Sequence, residues 1–137
     1  MYIETTIAGH LTSRLPRDML VAGQMLATRD WWDQSRHLFD LYTSEVVIDE
    51  ASQGDPQAAA ERLAVLASLP LVPVIDAAAE IAELLLARSA LPAKARVDAV
   101  HVAVAATNGI EYLLTWKSSR CAENAVLSRR SFARRWN

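Results

Sequence analysis

Three carboxylates in this chain stand in apolar company. Glu4 follows the short apolar stretch "MYI", and Asp98 interrupts the run "ARVDAVHVAVAA". Glu50 lies three and four residues after Val47 and Val46 in "SEVVIDE", so all three share one helical face. Taking a carboxylate out of water is costly unless a partner or a bound ion compensates. Oxygen ligands gathered from distant segments suit Mg²⁺ or Mn²⁺, hard cations that favour carboxylates and keep several waters. Each acid alone also has a structural explanation. Glu4 can cap the helix that follows, Glu50 can reach solvent on its flexible stem, and Asp98 can bond His101 one turn on. Spacing leaves these open.

The elements that must carry these groups alternate between short apolar strands and helices. "MYIETTI" reads as a brief strand, and "TSRLPRD" breaks it, with Pro16 and Asp18 suited to opening a helix. From there to Phe39, the positions Val21, Met25, Trp32 and Phe39 recur near the helical period and predict one buried stripe. Ser44 can cap a helix beginning at Glu45. Asp55-Pro56 is a cap and first-position pair for the next helix, which carries Leu63, Leu66 and Leu69. "LPLVPVID" reads as a strand, followed by a helix with Ile81, Leu84 and Leu85 inward. The next helix spans about Val97 to Thr107 and stops at Gly109. "EYLLTW" is the clearest strand, ending at Thr115. This alternation predicts an α/β fold around a parallel sheet, in which sites gather at the carboxyl ends of strands.

The bulk numbers set the class. At 137 residues the chain fits a single domain over 1–137, with 128–137 a basic C-terminal tail. A hydrophobic share of 52% against 22% charged residues argues against disorder, and the net charge of −2 argues against a broadly cationic protein. Arg129, Arg130, Arg134 and Arg135 nevertheless crowd the last nine positions, where they are either a solvated end or a contact for nucleic acid. The single cysteine, Cys121, excludes an internal disulfide and fits a reducing cytosol. No secretory signal pattern opens the chain and no apolar run is long enough to span a bilayer, so the expectation is a cytoplasmic protein without a membrane role. His10, His37 and His101 lack zinc-like spacing, and Ser118-Ser119 has no base beyond Lys117.

"YIETTI", "SEVVIDE" and "ARVDAVHVAVAATNGIEYLLTW" together resemble a PIN domain, close to the VapC-type toxins of bacterial toxin–antitoxin pairs. The resemblance runs from Tyr2 to about Trp116. It is most specific late, where Asp98, a histidine three residues on and a strand ending in Thr115 come in the family's order. Glu4-Thr5 stands where the family usually has Asp-Thr. The resemblance implies a Rossmann-like three-layer α/β/α sandwich with a mostly parallel sheet. It also implies a metal-dependent ribonuclease, with Glu4, Glu50 and Asp98 as ligands to Mg²⁺ or Mn²⁺ and Thr5 and Thr115 as supporting hydroxyls. The implied partners are an RNA substrate, a small antitoxin protein and a second copy in a homodimer.

The chain departs from that pattern two residues after Thr115. The family commonly shows a further Asp or Asn there; this chain has Lys117. A lysine is a cation rather than a ligand. It can contact an RNA phosphate while Glu123 on the next helix substitutes for the missing charge. Alternatively the site is degenerate, and the chain is a PIN-fold RNA- or protein-binding module. A signalling receiver domain is a third class, since Thr115-Trp116-Lys117 imitates its late strand end, but no strand-end Asp stands mid-chain.

Overall fold

Capping side chains set most of the boundaries in this chain. The computed structural model describes residues 1–89 and 95–117. Strand β1 (Tyr2–Ile3) runs straight into helix α1 (Thr5–Thr12), with Glu4 at the cap between them. Asp18 caps α2 (Met19–Gln34) by accepting from the Leu20 and Val21 N–H groups. A 3₁₀ turn at Arg36–Leu38 follows. Next come α3 (Glu45–Ala51) and α4 (Pro56–Leu66), the latter with Asp55 as cap and Pro56 in its first turn. Helices α5 (Asp76–Ser89) and α6 (Arg96–Thr107) precede β2 (Leu113–Leu114). Gly109, at φ 66°, ends α6 in a backbone region that glycine enters without penalty.

The expected three-layer sandwich with a mostly parallel sheet is not what forms. Among the described residues the molecule is mostly helical, and its sheet is two strands. Strand β1 pairs with β2 in parallel, Tyr2 opposite Leu113 and Ile3 opposite Leu114. Two isolated parallel bridges, Tyr2 with Tyr42 and Thr43 with Leu71, continue the ribbon without becoming strands. The reasons are local. Glu4 begins a helix cap at once, so β1 stops after two residues. In "LPLVPVID", Pro70 and Pro73 have no N–H to give a ladder, which leaves one bridge at Leu71. "EYLLTW" keeps only Leu113 and Leu114 in the sheet, because the chain turns at Thr115, whose hydroxyl accepts from the Lys117 N–H at 2.9 Å.

The core is built largely of small residues. Ala78 and Ala82 of α5 meet Ala99 and Ala103 of α6, with Val47, Leu66 and Val104 filling the same cluster. Two arginines fasten successive helices by donating to the carbonyls at a preceding helix's C-terminal end. Arg29 reaches the His10 and Ser13 carbonyls, and Arg62 those of Ala51 and Gln53. The predicted stripe on α2 is narrower than its period implied. Met25 is buried, Val21 and Trp32 are half-buried, and Phe39 lies beyond the helix and exposed. Leu84 is likewise exposed, leaving Ile81 and Leu85 to pack on the core. No described helix is long and apolar enough to cross a membrane.

Candidate functional site

The site is assembled at helix ends. Glu4 leaves β1 and turns its carboxylate onto the start of α1, where it accepts from the Thr6 N–H at 3.1 Å and from the Thr6 hydroxyl. That same hydroxyl accepts from the Trp116 N–H at 3.1 Å, which ties the segment after β2 to α1. Thr5, the first residue of α1, donates its hydroxyl to Glu50 Oε2 at 2.6 Å. Glu50 lies next to last in α3 and faces inward, while Glu45 and Asp49 face solvent. Asp98 stands in the first turn of α6.

Lys117 joins two of these acids. Its ammonium lies 3.3 Å from Glu50 Oε1 and 3.3 Å from Asp98 Oδ1. Thr115 supports the site indirectly, since the turn at its hydroxyl starts Lys117 on its course toward the carboxylates.

Behind Glu50 runs a buried polar chain. His101 Nε2 is 2.7 Å from Glu50 Oε2, and His101 Nδ1 is 3.1 Å from the Tyr2 hydroxyl. The Tyr2 hydroxyl is in turn 2.6 Å from that of Ser44. Through the two His101 ring nitrogens the chain Ser44–Tyr2–His101–Glu50 is continuous, and every polar atom along it has a partner. Tyr2, Ser44 and His101 are all essentially sealed from solvent. Here the structure corrects two expectations. His101 serves Glu50 and Tyr2 with its ring nitrogens, not Asp98. Ser44 makes no side-chain cap to α3, because its hydroxyl is given to Tyr2.

The electrostatics follow from these contacts. Burial pushes the Glu50 carboxyl up, but hydrogen bonds from His101 and Thr5, with the charges of His101 and Lys117, overcome it and hold it at about 2. For Lys117, burial favours the neutral amine, and the charges of Glu50, Asp98 and Glu4 with the Glu50 hydrogen bond outweigh it, raising the pKa above the usual lysine value. Tyr2 is pushed up to about 12, chiefly by burial, against the Ser44 hydrogen bond and with help from the charges of Glu50 and Glu4. An open groove of about 330 Å³ adjoins the cluster, and Thr5, Thr6, Glu50, Arg62 and Lys117 are among its lining residues.

The expected three-acid ligand set is only partly brought together. Glu50 and Asp98, from separate helices, converge on one cationic centre, and the Lys117 ammonium is the cation that stands there. This pair supplies carboxylate oxygens, the donor type that hard divalent ions take. Glu4 does not join it as a ligand. Its carboxylate is committed to Thr6, and among the described residues no three acidic, histidine or cysteine side chains form a ready metal-binding group. Glu4 stays near enough for its charge to act on Lys117. Glu123, the expected substitute acid, and the tail at 128–137 lie outside the described residues.

Tyr2 and Ser44 belong to the site without a sequence signal for it. A tyrosine in a two-residue strand carries no chemical signature, and the signal at Ser44 was a helix-cap signal. No protein-family model matches the chain, and no curated protein or solved structure matches it significantly.

Proposed function

We propose that this chain is a VapC-like ribonuclease of the PIN type that cleaves RNA phosphodiester bonds at the Glu50–Asp98 pair. One observation carries the reading: carboxylates from α3 and α6 converge on a single cation position beside an open groove that Arg62 and Lys117 help to line. Glu50 and Asp98 would hold Mg²⁺ or Mn²⁺ there, with Glu4 adding negative charge from behind. Such an ion, when bound, lowers the pKa of a water and stabilises charge on phosphate oxygens. The protein's own part is to fix and shield. His101 and Thr5 lock one oxygen of Glu50, so its other oxygen keeps a constant direction. Arg62 and Lys117 give the groove two cations suited to an RNA backbone.

Partners follow from the same family reading: a small antitoxin protein and a second copy of the chain. Exposed apolar residues at the start of α2 support a protein contact, with Met19 86% and Leu20 72% exposed. A reducing cytoplasm suits the lone cysteine.

A second reading has its own observation. Lys117 already pairs with both Glu50 and Asp98, which favours a binding module without catalysis, whose resident cation is the lysine. The two readings separate on Asp98→Asn. The ribonuclease reading expects Mn²⁺-dependent, EDTA-sensitive cleavage of a mixed RNA substrate by the wild type, lost in Asp98→Asn together with calorimetric Mn²⁺ binding. Unchanged Mn²⁺ affinity in a folded Asp98→Asn protein would remove Asp98 from the site. RNA binding without cleavage or Mn²⁺ uptake would establish the binding module.

A further inference from the structure

Lys117 holds the position that the proposed reaction reserves for a divalent ion. Its ammonium is 3.3 Å from each of two carboxylate oxygens, and those oxygens belong to α3 and α6, elements fixed independently by the core. An ion set between these two oxygens would take the ammonium's own place, because it needs contacts of about 2.0–2.1 Å to each oxygen and repels the lysine's charge. For the ion to enter, Lys117 must leave.

The lysine has a way out. Its side chain is 33% exposed, more open than those of Glu50 at 23% and Asp98 at 19%, and it lines the groove rather than the core. Glu50 has far less freedom. It is held through its other oxygen by His101 and Thr5, and that hold does not depend on Lys117. The oxygen facing the lysine therefore stays in place when the lysine withdraws.

We propose that Lys117 is a tethered competitor for the divalent cation, setting the metal concentration at which the Glu50–Asp98 site loads. This rests on the metal-dependent reading above and goes beyond it, because it makes metal occupancy a property of one flexible side chain. A purely structural ion pair is the contrasting role. In that case removing the lysine weakens the fold and changes nothing about metal.

The experiment is calorimetric titration of Mn²⁺ into the folded wild type, K117M and the double variant K117M/D98N. Methionine keeps the apolar stem and removes the charge. K117M is expected to bind Mn²⁺ at least roughly tenfold more tightly than the wild type, within the usual range for coupled sites, and K117M/D98N to lose that binding. A second readout is thermal: saturating Mn²⁺ should raise the Tm of K117M more than that of the wild type. Equal Mn²⁺ affinity in wild type and K117M overturns the competitor role and leaves the metal-dependent reading standing. No binding by a folded K117M overturns the metal-dependent reading itself. K117Q, which also removes the charge, replaces K117M if the latter does not fold.

Discussion

Glu50 sits between opposing forces that acid should expose. Burial raises its carboxyl, and the hydrogen bonds from His101 and Thr5 with the charges of His101 and Lys117 bring it from 4.5 to about 2. A carboxyl held low in the folded state contributes stability that is present above its unfolded value. That contribution is lost as pH falls from 4.5 through about 2. Taken in full, the shift corresponds to ~3 kcal/mol. Glu50 is partly open to the groove, and solvent screening reduces this to ~2 kcal/mol. Glu50→Gln keeps the side chain's shape and removes its charge. Urea, being uncharged, can then report stability across the acid range for both proteins. The expected result is a variant less stable than wild type by ~2 kcal/mol near pH 7, with the gap closing toward about pH 2. Other carboxylates titrate in the same range, but they are common to both proteins and drop out of the difference. A gap of equal size near pH 7 and near pH 2.5 would refute the reasoning, because the loss would then be one of packing rather than charge.

Two further changes test the surroundings of the site. Tyr2→Phe strands the buried Ser44 hydroxyl and His101 Nδ1, so urea unfolding should show a loss of ~1–3 kcal/mol. Because the folded state holds the Tyr2 hydroxyl at about 12 against an ordinary 10.0, its contribution is complete below 10.0 and disappears as pH rises through about 12. That alkaline decline should be missing from Tyr2→Phe. Gly109→Ala places a side chain at φ 66° with no atom within 4 Å of the new Cβ, so the cost is backbone strain alone, ~1 kcal/mol by thermal unfolding. A larger loss would mean that the turn after α6 carries packing.

How much of this was legible depended on whether the controlling interaction was local. Asp18 and Asp55 cap the helices they precede, and Gly109 stops α6, because caps and stops are decided within a few residues. Glu50 faces inward and Asp49 outward, as helical spacing requires. The sheet was over-read because an apolar run states burial but not pairing. "LPLVPVID" needed donors that Pro70 and Pro73 lack, and "EYLLTW" needed length that the Thr115 turn removes. The site was misjudged in its partners. His101 is one turn from Asp98 in the chain, yet its ring nitrogens bond Glu50 and Tyr2, 51 and 99 residues away. Long-range pairing of that kind leaves no periodic trace.

The three acids that drew attention first are held in three different ways. Glu4 is fixed by the start of α1, where the Thr6 N–H and the helix dipole both favour negative charge. Removing a cation nearby changes little about it. Glu50 is anchored on one oxygen by His101 and Thr5 and answers to Lys117 only through the other. Asp98 stands in the first turn of α6 and pairs with Lys117. Among the described residues, Lys117 is a cation shared between α3 and α6, and it is the most exposed of the three charges it brings together. The acids are placed by helices and the lysine by a flexible stem, so K117M, rather than any substitution of an acid, is the change that removes the cation and leaves both carboxylates in the chain.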